Sequence, residues 1–303
     1  MVPGRRYRGI IYMLLAAAGF SLMGASAKMV KETFSAGQLV FWRNMMGALV
    51  LVPGLILRPP QKKTGGKIGW LVFRGFMGTV AVYALLYCVI NMPLGTAMTY
   101  NLTSTIWIAL FSFLVFREYA GKPVIIAILL GFAGMVLVYQ PNIHMPWYFH
   151  FAGFISGICS GIAYLTVGRL SSFFDARLIV LSFVSGGIII PLLSTCIQYY
   201  SGLPADGVWL IKWQWPVGGQ WIWIIGMGLF ALFGQYFVTR AYGSDKASVV
   251  SAISYANIVF SVFLGVLMGD HFPDIISLAG ILCIICSGIM ISVFKERSKR
   301  GGI

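Results

Sequence analysis

Arg43 stands in an apolar stretch running from Ala36 to Leu57, with Phe41 and Trp42 before it and Asn44 after it. A charge at the centre of a bilayer costs about 2.5–3.5 kcal/mol on the milder scales, so such a residue needs a cavity, a partner or a ligand. A planar guanidinium suits a carboxylate or a phosphate. It suits helix carbonyls and hydroxyls as well, in which case it only locks packing, and the sequence leaves both readings open. No acid lies in a comparable apolar interior: Glu32, Glu118, Asp175, Asp206, Asp245, Asp270, Asp274 and Glu296 fall at segment ends, in connections or in the tail. Carriers driven by protons or sodium use an intramembrane carboxylate or histidine, and this pattern favours facilitated exchange or gradient-driven movement instead.

Polar and aromatic residues recur at helical spacing in the other apolar stretches. Tyr100, Ser104 and Trp107 fall at i, i+4 and i+7 with Asn101 beside them, and Ser248, Ser251 and Tyr255 repeat the pattern with Asn257 on the adjoining face. Tyr83 and Tyr87 share a face, and Tyr164, Gln235 and Tyr236 stand in later segments. Any one of these aromatics reads as packing or lipid contact, but together they could wall a cavity. The candidate substrate-binding set is therefore Arg43, Tyr83, Tyr87, Tyr100, Asn101, Ser104, Trp107, Tyr164, Gln235, Tyr255 and Asn257. Rings around a cavity would also permit cation–π contact with a ligand.

Catalysis has little to stand on. Paired acids, a histidine beside a serine or cysteine, or a metal triad would be needed, whereas His144, His150 and His271 are read as loop residues. Cys283-x-x-Cys286 lacks a second pair, and it reads with Cys88, Cys159 and Cys196 as packing. No catalytic residue, metal or cofactor is expected. Gly153, Gly157 and Gly161, extended by Gly168, form a small-residue ridge that lets helices approach closely.

These residues must be held by a membrane scaffold. Of 303 residues, 59 % are hydrophobic and 10 % charged, with a mean hydropathy of +0.86. Soluble domains carry about 25 % charged residues, so an ordinary soluble fold is excluded. Apolar runs broken by Pro, Gly and charge number ten: Gly9 to Met29, Ala36 to Leu57, Ile68 to Ile90, Leu94 to Phe116, Val124 to Tyr139, Phe151 to Leu170, Leu178 to Tyr199, Trp221 to Ala241, Ala247 to Gly269 and Ile275 to Phe294. They must be helical, because backbone polar groups in lipid have to be satisfied within the segment and no alternating strands are present. The first run follows Arg5, Arg6 and Arg8 as a signal peptide would, but it extends beyond a signal core.

The net charge of +14 arises from 22 Lys and Arg against 8 Asp and Glu. With the N-terminus inside and ten spans, 18 of the 22 basic residues fall on the cytoplasmic side, Arg74 among them, while Lys28, Lys31 and Lys212 lie outside and Arg43 within a span. That bias obeys the positive-inside rule and places both termini in the cytoplasm. The basic excess is thus a contact for anionic lipid, and no nucleic-acid partner is expected. Trp209, Trp213 and Trp215, continued by Trp221 and Trp223, fit an external interfacial belt.

Setting Glu118 against Asp270, an offset of 152, aligns Thr96 with Ser248 and Phe111 with Phe263. Two halves of five helices follow, residues 1–141 and 150–294, with a basic tail at 295–303. Five is odd, so the halves sit in opposite senses, as in secondary transporters that bind substrate near the midplane and alternate access by rocking.

Arg240-Ala241-Tyr242-Gly243-Ser244-Asp245-Lys246-Ala247-Ser248-Val249-Val250, Ser254-Tyr255, Leu264-Gly265, Phe41-Trp42-Arg43, Arg74-Gly75 and Pro93-Leu94-Gly95-Thr96-Ala97 together resemble the drug/metabolite transporter superfamily, specifically its EamA-type ten-helix exporters. The resemblance runs from about Ile10 to Val293. It departs in two places: the proline common in the family's fourth and ninth helices is absent, and Asp270 stands where the ninth usually closes with Glu. It implies an all-α inner-membrane protein of ten helices as a 5+5 inverted repeat that moves small polar metabolites, often outward. An amino acid or related carboxylated compound is the first expectation for substrate. Uptake or exchange of a nucleotide-like metabolite such as S-adenosylmethionine and a lipid-handling role without transport are the alternatives. Membrane lipid and a second copy of the chain are candidate partners.

Overall fold

The structure is a computed structural model describing residues 7–30, 32–60, 65–91, 100–117, 121–140, 146–201, 213–268 and 273–300. Glu118, Asp206, Asp270, His144, His271, Trp209, Lys31, Lys212, Thr96 and the stretch Pro93 to Ala97 lie outside the described residues, as do Arg5 and Arg6.

Every described element is a helix: α1 Arg8–Lys28, α2 Ala36–Leu57, α3 Ile68–Asn91, α4 Ser104–Phe116, α5 Lys122–Tyr139, α6 Trp147–Leu170, α7 Ala176–Ser201, α8 Gln220–Tyr242, α9 Ala247–Ile253, α10 Ala256–Leu267 and α11 Ile275–Arg300. Among the described residues, seven stretches are long and apolar enough to cross a membrane, one of them Ala247–Leu267, and three shorter apolar helices accompany them. This is a multi-helix membrane protein. The helices are apolar all round, and Leu49, Ile56, Leu57, Val72, Ile222, Phe263 and Leu282 face outward as they would toward lipid.

Two spans read as continuous are interrupted. Residues 100–102 are helical, Thr103 is a turn, and α4 begins at Ser104. Likewise α9 ends at Ile253, Ser254 and Tyr255 form a turn, and α10 resumes at Ala256. At an offset of 152, Thr103 pairs with Tyr255, so the interruptions occupy matching places in the two halves. No proline makes either break. The Thr103 N–H and Oγ1 both donate to the Tyr100 carbonyl, at 3.2 and 2.6 Å. The Ser254 N–H and Oγ do the same to the Ser251 carbonyl, at 3.0 and 2.5 Å. Hydroxyls that bond back to a preceding carbonyl compete with the helical ladder. The two breaks also meet, because Thr105 Oγ1 donates to the same Ser251 carbonyl at 3.2 Å.

Helix packing is symmetric under exchange of the halves. The α1·α8 contact is matched by α6·α3, α1·α10 by α6·α4, and α2·α8 by α7·α3, while α2·α7 and α5·α11 map onto themselves. The α5·α11 seam is glycine-made: a Cβ on Gly134 would lie 2.6 Å from the Gly280 carbonyl oxygen, and one on Gly280 would lie 2.5 Å from that of Gly134. The opposite self-matched pair, α2·α7, carries Arg43 and Phe183. Beside it Arg177 caps the C-terminus of α2, donating to the Arg58 carbonyl at 2.6 Å while pairing with Asp175 at 3.2 Å. A cation at a helix C-terminus complements its dipole.

Candidate substrate-binding site

Arg43 sits in the first half of α2, among residues 36–44 that are all buried, and is itself only 5 % exposed. Its Nε donates to the Met23 sulfur of α1 at 3.2 Å, and Nη1 is buried with no hydrogen-bond partner among the described residues. The guanidinium carbon lies 5.1 Å from the centroid of the Phe183 ring in α7. A small space of about 10 Å³, room for one water, is lined by Arg43, Asn44, Phe183, Ala231 and Gln235, where α2, α7 and α8 converge.

A second arginine lies against the same ring, so Arg43 is not alone as a buried cation in a span. Arg74, counted with the cytoplasmic-side charges, lies well inside α3 and is 1 % exposed. Its guanidinium carbon is 4.9 Å from the same Phe183 centroid, and its Nε and Nη1 are buried with no partner among the described residues. Cation–π contacts hold within about 6 Å of a ring centroid, so one ring serves two cations and keeps them no more than about 10 Å apart. Among the described residues no carboxylate interacts with either; the electrostatic neighbours are Tyr164 of α6 and the arginines themselves. Tyr164 in turn stacks on Tyr242, with centroids 5.2 Å apart and planes at 14°.

The sequence-derived set therefore divides. Arg43, Tyr164 and Gln235 come together at the arginine site. Tyr100, Asn101, Ser104, Trp107, Tyr255 and Asn257 lie at or beside the interrupted segments, where described packing accounts for them. The Gly153, Gly157 and Gly161 ridge of α6 receives Tyr100, Thr103 and Trp107. The ridge thus packs the two halves together. Trp107 also meets Phe111 and Phe154. Asn101 Nδ2 donates to Ser156 Oγ at 2.9 Å and to Ser160 Oγ at 3.1 Å. Asn257 Oδ1 accepts from Ser21 and Ser261, each at 2.9 Å, tying α10 to α1. Tyr255 is fully buried, its ring against Gly131 of α5. Tyr83 is buried within α3, and Tyr87 is half-buried against Phe149. His150, read as a loop residue, belongs to the first turn of α6 and shares a hydrogen bond of 2.7 Å with the Tyr100 hydroxyl through Nδ1.

Phe183 and Arg74 escaped the sequence reading for different reasons. A phenylalanine among apolar residues carries no signal. Arg74 did carry one, because the third apolar segment was drawn from Ile68 and already enclosed it; seven residues from Lys67, it passed for an end-flanking charge. The tryptophans are also redistributed. Trp213 packs on Phe41, and Trp215 and Trp221 pack on Trp42, with centroids 4.8, 5.6 and 5.4 Å apart. Part of the expected belt therefore packs on the two residues that immediately precede Arg43.

Residues 7–140 match the profile of the EamA-like transporter family. An uncharacterized transporter of Helicobacter pylori is 29 % identical over 96 % of this chain and 97 % of its own length. A pseudopaline exporter of Pseudomonas aeruginosa is 25 % identical, with 97 % of each chain covered. Human solute carrier family 35 member G1 is 24 % identical over 95 % of this chain and 79 % of its own. One solved crystal structure superposes with a TM-score of 0.74 at 17 % identity, covering 97 % of this chain and 98 % of the other, which shows a shared fold. The family profile over the first half and the full-length likeness to proteins named transporters support a membrane transporter.

Proposed function

We propose that this chain is an EamA-family, ten-span secondary transporter of the inner membrane, built as a 5+5 inverted repeat over residues 1–141 and 150–294 with both termini cytoplasmic. It moves a small carboxylated metabolite, an amino acid or a related compound, outward by alternating access. The observation that carries this reading is the buried Arg43, with a donor unpartnered among the described residues, at the convergence of α2, α7 and α8. A charge held there without a counter-ion is costly, and a substrate carboxylate would neutralise it. Export is supported by the relative named a pseudopaline exporter. The exchange-symmetric packing and the matched helix interruptions support the repeat, since interrupted segments in corresponding places mark transporter halves. The space at Arg43 holds about one water, so binding a metabolite there requires α7 or α8 to move.

The test is uptake and counterflow of labelled amino acids and organic acids in proteoliposomes. Saturable flux that Arg43→Ala abolishes and Arg43→Lys weakens is expected. Flux unchanged in both variants, with normal folding, removes Arg43 as the anchor; competition by S-adenosylmethionine but not by carboxylates would replace the substrate class.

A further inference from the structure

We infer that the site takes a dicarboxylate, one carboxylate for each guanidinium. The inference rests on the reading of Arg43 as a substrate anchor and narrows the substrate class. Two arginines, not one, are buried at this point, both against Phe183 and both more than nine-tenths enclosed. Three of their nitrogens are buried donors with no acceptor among the described residues, one on Arg43 and two on Arg74. No described carboxylate meets either group. A single carboxylate would leave one cation uncompensated in a water-poor interior. A zwitterionic amino acid fares worse, because the second guanidinium repels its ammonium group. Two anionic groups within the span of one aromatic ring meet both requirements at once, and each charge-assisted contact is stronger than a neutral hydrogen bond.

The arrangement also explains why Phe183 stands where a counter-ion would be expected. A ring face attracts both cations without neutralising them, so the pair stays charged for an incoming anion. A glutamate there would bind the arginines permanently.

The experiment uses the purified full-length protein in detergent, with thermal stabilisation titrated at constant ionic strength by glutarate, butyrate, β-alanine and inorganic phosphate. Glutarate is expected to bind about tenfold more tightly than butyrate, the equivalent of one additional charge-assisted contact. Arg74→Gln should bring glutarate to the level of butyrate and leave butyrate binding in place. Equal binding of glutarate and butyrate by the unmodified protein overturns the dicarboxylate assignment while leaving a carboxylate carrier standing, and so does tightest binding by β-alanine. Tightest binding by phosphate overturns it in favour of a phosphorylated substrate. If no carboxylate stabilises the protein and Arg43→Ala transports normally, the underlying reading of Arg43 fails with it. The ranking on unmodified protein decides the matter even where Arg74→Gln does not fold.

Discussion

Replacing either buried arginine by methionine should make the unliganded protein more stable and inactive. Two unit charges no more than about 10 Å apart repel by at least roughly 1.7 kcal/mol at an effective dielectric of about 20. Retaining one charge in a membrane interior costs about 2.5–3.5 kcal/mol. Against these, the contact with Phe183 returns about 0.5–2 kcal/mol. Methionine preserves most of the buried stem and makes its own sulfur–aromatic contact. Arg74→Met is therefore expected to stabilise the resting conformation by about 2–4 kcal/mol, and Arg43→Met by somewhat less because it also loses the bond to Met23. The assay is thermal unfolding in detergent without ligand, at one scan rate for all variants because membrane-protein unfolding is commonly irreversible, paired with flux in proteoliposomes. A higher apparent melting temperature with lost flux is the expected outcome. If both variants melt at or below the parent protein, the arginines are packing cations and their charge is not held in reserve for substrate.

Other perturbations address the scaffold. Gly134→Val should open the α5·α11 seam, since even its Cβ meets the Gly280 carbonyl at 2.6 Å; overpacking of this kind costs about 1–3 kcal/mol, read as a lower melting temperature. Asn257→Leu removes the acceptor shared by Ser21 and Ser261, but Ser21 keeps the Ala17 carbonyl at 3.0 Å and Ser261 the Ser21 hydroxyl at 3.1 Å, so the loss should be that of a net hydrogen bond, about 0.5–1.5 kcal/mol, with Arg43-dependent binding retained. Asp274 caps α11 by accepting from the Ser277 N–H at 2.9 Å, and this bond with the Ser277 hydroxyl holds its carboxyl below the usual 3.8. A lowered carboxyl contributes stability above its ordinary value and loses it as the pH falls toward the lowered one. Asp274→Ala should accordingly melt earlier at neutral pH and show a shallower decline in acid.

The membrane scaffold was legible because lipid permits few backbone solutions, and apolar runs bounded by charge mark most helix ends within a few residues. Arg43 was legible for the same reason, as a cation in the middle of such a run. Its neighbour was not: a charge seven residues inside a span can snorkel outward or turn inward, and only the packing of α3 on α7 decides which. Nor was the division of the polar aromatics. Helical spacing places Tyr100, Ser104 and Trp107 on one face, but a turn at Thr103 separates Tyr100 from the rest, and the face meets the glycine ridge of α6 instead of an open cavity. The ridge itself was read correctly as a packing surface, because small residues every fourth position define a groove whatever lies in it.

The missing prolines acquire a meaning from the way the helices are broken. Proline would remove an amide donor at the break for good. At Thr103 and Ser254 every N–H is still present, and the interruption is held by hydroxyls bonded to the carbonyls of Tyr100 and Ser251. A hydroxyl can rotate away and leave its carbonyl to the ladder. The two breaks, which touch through Thr105, therefore differ from proline breaks in kind: each segment keeps every backbone donor that a continuous helix uses.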